Sequence, residues 1–377
     1  MYINGIGRTK FGILDKSLPE LLYEAMVKAI MDSKLSIYEI EAIVISSFLC
    51  GNSNNQLHLG SLISSLLPGL NLPCFRIEAA CASGGMAVFE AINMLKNYDN
   101  ILVVGGEKLS ESISRSLIKS IAMAGDLLRD QREGVIFPAQ YAIVASEYLR
   151  TYNLNHRDLS LVALKNYRHA KLNDLAHFNY KCITEQDIAS SPIICSPLHM
   201  YDCCPISDGS AALVVSNEKI SDRSVKIIGH SAICDSISLS QRNETISFKS
   251  ARLAANSAFK MAKRTPKDID IAEVHDCFTI AELVAMEDLG FCSKGNAIKL
   301  LKEGDTSLTG TIPINTDGGL LADGHPIGAT GIAQICELVL QLRGEASQRQ
   351  IDNAKIGLSH NVGGVGGTAV VHILEGC

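Results

Sequence analysis

The chain has no tryptophan, and aromatic residues make up only 5% of its 377 positions. That scarcity argues against a sandwich of aromatic-rich strands. Small and branched aliphatics with 30 glycines suit stacked layers of sheet and helix instead. No apolar run approaches the roughly 20 residues that span a bilayer. None of the 12 cysteines forms a CxxC pair, which excludes a zinc ribbon or a thioredoxin-type site and leaves no implied metal centre. Positive charge is not in excess. The formal net charge of −6 gives no reason to expect nucleic acid or an anionic membrane as partner. The opening MYINGIGRTKFG reads as a short strand and a glycine turn rather than a leader, and the closing LEGC matches neither a prenylation signal nor a peroxisomal tripeptide. These absences predict a cytoplasmic chain whose cysteines are reduced and mostly small core residues.

What is present is a large core, with 47% hydrophobic residues, and a length sufficient for two medium domains. Apolar periodicity predicts a helix over 19–33, strands over 42–46 and 74–78, a helix over 82–95, and strands over 101–104 and 209–216. The grammar then repeats: helices over 250–263 and 279–289 flank a strand at 271–274, and a helix over 329–342 precedes strands at 355–359 and 368–374. Two similar βα halves follow, joined near the polar segment NEKISDR at 217–223. The stretch from about 110 to 195 is less regular and rich in Lys, Arg, His and Asn, and reads as an insertion.

Four segments carry chemistry. In EAACASGGMAVFEAINML, Cys81 sits between a strand and a helix, where unpaired N–H groups and the helix dipole favour a thiolate. Ala82, Ser83, Gly84 and Gly85 leave room for a ligand at the sulfur. In ADGHPIGATG, His325 is fixed between Gly324 and Pro326 at a helix start, placed to take a thiol proton or to donate to an oxyanion. In EVHDCFTIAEL, His275 and Cys277 follow a strand end and suit proton transfer. In GLSHNVGGVGG, His360 and Asn361 introduce a glycine-rich turn with exposed N–H donors. Taken singly, each is also compatible with a buried structural residue.

Four such segments in this order are more specific than any one. With GIGRTKFG at the start, GGEKLS at 105–110 and PISDGSAAL at 205–213, they resemble the thiolase family over nearly the whole chain. The resemblance implies a five-layered α/β core of two βαβαβαββ halves, residues 1–115 with 195–220 and residues 221–377, and an inserted loop domain at 116–194. It implies acyl transfer between coenzyme A thioesters, in thiolysis or Claisen condensation, without a permanently bound cofactor. Cys81 would be the acylated nucleophile. His325 would activate it and donate to the thioester oxygen in condensation. Most thiolases place an acid/base cysteine in the last glycine turn, where this chain has His360. The HDCF version of the third segment, found in sterol-carrier-protein-type and archaeal-type thiolases, implies Cys277 as its replacement and His275 in the oxyanion site. The backbone N–H groups of Cys81 and Gly363 would form the second oxyanion hole. Arg129, Arg132, Lys165, Arg168 and Lys171 are candidate contacts for the CoA phosphates. The resemblance also implies a homodimer or homotetramer, and a complex with hydroxymethylglutaryl-CoA synthase and a zinc-ribbon/OB-fold protein. A decarboxylating ketosynthase or C-acyltransferase of the same fold, and an inactive acyl-CoA-binding scaffold, are the competing expectations. Cys277 discriminates, because a ketosynthase does not need it.

Overall fold

The computed structural model describes residues 1–67, 69–112 and 114–377. The first half runs β1 (Tyr2–Arg8), α1 (Leu18–Ser33), β2 (Ala42–Ser46), the short α2 (Cys50–Ser53) and α3 (Leu59–Leu66), β3 (Cys74–Ile77), α4 (Ser83–Met94) and β4 (Asn100–Glu107). Four helices follow: α5 (Ser114–Ala122), α6 (Phe137–Tyr152), α7 (His156–Ala170) and α8 (Glu185–Ser190). A small ladder of β5 (Ile193–Cys195) and β6 (Leu198–His199) then leads to β7 (Gly209–Ser216), which closes the half. The second half comprises β8 (Val225–Cys234), α9 (Lys249–Ala262), β9 (Ile271–Glu273), α10 (Thr279–Asp288), α11 (Ala297–Glu303), α12 (Gly319–Ala322), α13 (Ile327–Arg343), β10 (Ile356–Gly363) and β11 (Thr368–Gly376).

Local chemistry explains the boundaries. The Ser17 N–H and hydroxyl both donate to the Glu20 carboxylate, at 2.8 and 2.7 Å, opening α1. Lys34 closes that helix in the left-handed region, at φ 66°. Strand alternation then sorts the core. Val44, Ile101 and Val103 face one buried cluster with α4 and α13, while Ile43, Ile45, Leu102 and Val104 face another with α1 and α3.

Nine strands form one mixed sheet in the order β3-β2-β4-β7-β1-β8-β11-β10-β9. The halves meet where β1 pairs antiparallel with β8, at Tyr2–Lys226 and Ile3–Val225. Read outward from that seam, each half follows the same order, its first strand, its last, then its middle ones. Helices α4 and α13 pack on each other and on strands of both halves, whereas α1 covers the outside of the first half and α9 that of the second. The layers are therefore helix, sheet, helix, sheet, helix. The second half departs from the predicted βαβαβαββ pattern at its edge strand, which is reduced to one bridge between Ala272 and Ile314. Pro313 offers no N–H, and Asn315 turns away at φ 55°, so the ladder cannot extend. The insertion is more regular than its composition suggested. No helix among the described residues is long and apolar enough to cross a membrane.

Candidate active site

Cys81 stands on a tight elbow between β3 and α4. Ala80 before it is held at φ 50°, a conformation rare for a residue with a side chain. Ser83 stitches the elbow, accepting from the Ala79 N–H at 2.9 Å and donating to the Ala80 carbonyl at 2.6 Å. The small residues after Cys81 therefore do not simply leave room for a ligand. Ser83 braces the turn, and Gly84 and Gly85 face α13 and Asn361: a Cβ on Gly84 would lie 2.9 Å from the Gly331 nitrogen. Nor is the resting sulfur a thiolate. Burial pushes the Cys81 thiol up to about 12, although the Gly364 N–H hydrogen-bonds to it and pulls the other way. Activation must come from a base.

Two imidazoles are adjacent. A ring nitrogen each of His275 and His325 and the Cys81 sulfur lie within 4.8 Å of one another. The two rings meet edge to face, with centroids 5.2 Å apart. Burial lowers His325 to about 3, so its imidazole is neutral. Its Nδ1 is 2.7 Å from the Thr330 hydroxyl, which itself donates to the Pro326 carbonyl at 3.1 Å. With the hydroxyl donating to Pro326, Nδ1 carries the ring hydrogen, and Nε2, which has no partner, is a lone pair able to take the thiol proton. Burial, then the neighbouring His325 and His360, holds His275 well below the usual imidazole range. Nδ2 of Asn361 donates to Nδ1 of His275 at 3.1 Å.

Cys277 is buried on the wall of the same cavity. Burial raises its thiol well above the ordinary value, the nearby Cys81 adds to this, and a hydrogen bond with the Tyr141 side chain opposes it. Tyr141 also donates to the Gly364 carbonyl at 3.0 Å. The cavity holds about 470 Å³ above Cys81, Cys277 and His325, and most of its wall is apolar. Ile118, Ile121, Ile136, Phe137, Tyr167 and Phe178, all from the 116–194 segment, form its roof, joined by Cys203, Cys204 and Ile206. Lys181 lies at its edge, with Nζ 4.6 Å from the Tyr201 ring centre.

The other predicted residues divide. Gly364, not Gly363, reaches the sulfur; Gly363 ends β10, and Gly364 enters the left-handed region at φ 60°. His360 is buried within β10 with neither ring nitrogen partnered, and it does not line the cavity. Lys165 is corrected outright: it points inward, 2.8 Å from Glu282 and 2.7 Å from the Ile314 carbonyl, because α7 packs this face on α10. Arg129, Arg132, Arg168 and Lys171 are exposed, and the described lining of the cavity contains none of the five.

Several motif residues prove to be clamps. Arg8 grips Asp323, two residues before His325, at 2.9 and 2.8 Å. Asp208 accepts from the N–H groups of Leu109 and Ser110 at 2.8 and 2.9 Å and pairs with Lys108 at 3.0 Å. Asp276 of the HDCF segment accepts from the Leu320 N–H at 2.7 Å and from Asn166 at 2.6 Å. Sequence reasoning passed over Thr330, Tyr141 and the contacts of Asn361. Only Asn361 carried a local signal, its place beside a glycine turn.

A thiol beside a neutral imidazole base, with a second imidazole and a converging N–H, is the equipment of acyl transfer through cysteine, here set in a duplicated, five-layered α/β fold. The comparisons identify the family. The thiolase N-terminal domain matches residues 1–219 and the thiolase C-terminal domain-like family residues 231–376, so the chain belongs to the thiolase family. It is 39% identical to the acetyl-CoA acetyltransferase of Methanothermobacter thermautotrophicus over 98% of both chains. It is 30% identical to sterol carrier protein 2 of Bos taurus over 100% of this chain and 72% of that one. Among solved structures, the Ltp2-ChsH2(DUF35) aldolase superposes with a TM-score of 0.85 at 25% identity, covering 99% of this chain and 97% of that one. Human mitochondrial 3-ketoacyl-CoA thiolase in complex with CoA gives 0.75 at 18% identity over 99% and 97% of the two chains, a likeness of fold. The chain is a thiolase and an acyltransferase; neither the ketosynthase nor the silent-scaffold reading is favoured.

Proposed function

We propose that the chain interconverts acetyl-CoA with acetoacetyl-CoA or another 3-ketoacyl-CoA through an acyl group carried on Cys81. The observation that carries this reading is that Cys81 and His325 line a cavity whose wall also holds Cys277, with a ring nitrogen of the buried His275 within 4.8 Å of both. In thiolysis, the Cys81 thiol gives its proton to Nε2 of His325 and its sulfur attacks the 3-keto carbon. The developing oxyanion accepts from the backbone N–H groups of Cys81 and Gly364. The C2–C3 bond breaks, and the departing enolate of acetyl-CoA takes the Cys277 proton. The elevated pKa of Cys277 keeps that proton in place until the enolate needs it. Free CoA then gives its thiol proton to the Cys277 thiolate and attacks the acyl-Cys81 carbonyl. Cys81 leaves and recovers its proton from His325, so every group returns to its starting state. Condensation is the same sequence reversed.

The hydrogen-bond polarity divides the two imidazoles. His325, with Nδ1–H tied to Thr330, is the acceptor. The donor to the enolate oxygen, a role the resemblance gave to His325, falls to His275. CoA thioesters are substrates here, with the adenine end outside the apolar cavity, where Arg129, Arg132, Arg168 and Lys171 are exposed and Lys165 is not. The likeness to the Ltp2-ChsH2(DUF35) aldolase supports work beside a DUF35 partner. A complex with hydroxymethylglutaryl-CoA synthase and a zinc-ribbon/OB-fold protein rests on the family resemblance alone, and the family supports a homo-oligomer. The 12 cysteines, all free, support a reducing cytoplasmic setting. The test is chromatographic. Acetoacetyl-CoA and CoA given to the native protein yield two equivalents of acetyl-CoA, and the Cys81→Ala protein yields none. Full turnover by Cys81→Ala refutes the reading.

A further inference from the structure

Asn361 faces inward from β10 and uses both ends of its amide. Its Oδ1 accepts from the Gly85 N–H at 3.0 Å. Its Nδ2 donates to the Cys81 carbonyl at 3.0 Å and reaches Nδ1 of His275 at 3.1 Å. A backbone N–H can only donate and a backbone carbonyl can only accept, so the amide has one permitted orientation. Nδ1 of His275 is then the acceptor, and the ring hydrogen of the neutral imidazole must sit on Nε2, which is buried without a partner.

The packing around this side chain is as specific as its hydrogen bonds. A Cβ on Gly331 would stand 2.3 Å from Oδ1 of Asn361 and 2.3 Å from the Gly85 nitrogen. A Cβ on Gly85 would stand 3.0 Å from the same oxygen. The glycines of CASGG on α4 and of GATG on α13 therefore make room for one amide from a third element. That amide joins the nucleophile's own carbonyl to the second imidazole.

We propose that Asn361 is the positioning residue that fixes His275 as an Nε2–H donor beside the Cys81–His325 pair. The part this donor plays, holding the oxygen of a thioester or its enolate, rests on the thiolase reading above. A second consequence follows from the same polarity. Cys81, His275 and His325 offer three soft ligand atoms within 4.8 Å, a spacing close to that of a Cys–His–His zinc site. A metal needs a lone pair on the ligating nitrogen, and a ligating histidine donates its other N–H to an acceptor. Asn361 presents a donor there instead, so the resting site withholds its third ligand. Asn361→Asp would replace that donor with an acceptor, move the ring hydrogen to Nδ1 and free Nε2 to ligate.

The tautomer is directly measurable in the full-length protein labelled with 15N-histidine, by long-range 15N–1H correlation, with the His275 signals assigned by their loss in His275→Asn. The expected result is Nε2–H on His275 and Nδ1–H on His325. In Asn361→Asp, His275 switches to Nδ1–H, and added Co2+ gives a thiolate-to-cobalt charge-transfer band that the native protein lacks. The kcat falls about 100-fold, the usual loss of one oxyanion donor, with little change in KM. Nδ1–H on native His275, or Co2+ bound equally well by the native protein, overturns the proposal. Should Asn361→Asp fail to fold, the native tautomer decides alone. Acetylation of Cys81 by acetyl-CoA in the same native sample separates the two claims. An adduct with the wrong tautomer defeats the positioning role only. The right tautomer without an adduct defeats the thiolase reading and leaves the tautomer assignment standing.

Discussion

Replacing Thr330 by Val tests whether His325 is a base because of its neighbour. The Thr330 oxygen is 2.7 Å from Nδ1 and sits one helical turn into α13, where its own proton goes to the Pro326 carbonyl 3.1 Å away. Val is close to Thr in shape but offers no acceptor. The Nδ1–H of His325 would then be buried without a partner, at a cost of about 1–3 kcal/mol. The tautomer with its hydrogen on Nε2 has an unpartnered N–H in either protein. Val therefore removes only the preference for Nδ1–H and shifts the tautomer ratio toward Nε2–H by roughly 5- to 150-fold, at about 1.4 kcal/mol per factor of ten. Only the original tautomer can take the Cys81 proton. The single-turnover rate of Cys81 acetylation should therefore fall several-fold, and by no more than that ratio. Rapid quenching after mixing with acetyl-CoA, followed by intact mass, reads that rate. Thr330→Ser keeps the oxygen and should acylate nearly as fast as the native protein. Acylation by Thr330→Val within twofold of native, or an equal loss in Thr330→Ser, would refute the reasoning.

Two further predictions concern charge. His325 is held at about 3 and the Cys81 thiol at about 12, so the pair is imidazole and thiol throughout the neutral range. As pH falls, the base is lost only near pH 3. The acylation rate should thus be flat from about pH 5 to 9, and an acidic limb near the ordinary histidine value of 6.5 contradicts the buried neutral base. Lys165→Met should leave the KM for CoA unchanged. It strips the Glu282 carboxylate of its cation in a buried site, a loss of about 3–5 kcal/mol that denaturant titration measures, and a raised KM without destabilisation would restore Lys165 to the phosphate contacts.

Much of this architecture is legible in the sequence because each half pays its information out locally. Short continuous apolar runs such as Ala42–Ser46 and Gly209–Ser216 mark buried strands, and the apolar spacing after Ser17 marks a helix. The elbow of Cys81 and the rigid GHP turn of His325 announce themselves by their small or stiff neighbours. What stays hidden is set by distant contacts. Nothing near Lys165 shows that α10 brings Glu282 to meet it, 117 positions along the chain. The regularity of α6 and α7 was masked by the polar residues they present beside buried ones. The glycines of CASGG read as ligand space because their true neighbour, Asn361, lies on another strand. The choice between Gly363 and Gly364 turns on where β10 ends, and boundaries are the least local property of a strand. The state of the Cys81 thiol is hidden for a related reason. A helix N-terminus is visible in sequence, whereas the burial that outweighs it is not.

The central claim is that two thiols divide the work, Cys81 carrying the acyl group and Cys277 the proton. Intact-protein mass after mixing with acetoacetyl-CoA, for the native chain, Cys81→Ala and Cys277→Ala, tests it most directly when paired with turnover. The account predicts an acyl adduct on the native chain and on Cys277→Ala, none on Cys81→Ala, and turnover by the native chain alone. Normal turnover by Cys277→Ala, or an adduct that survives the loss of Cys81, would contradict it.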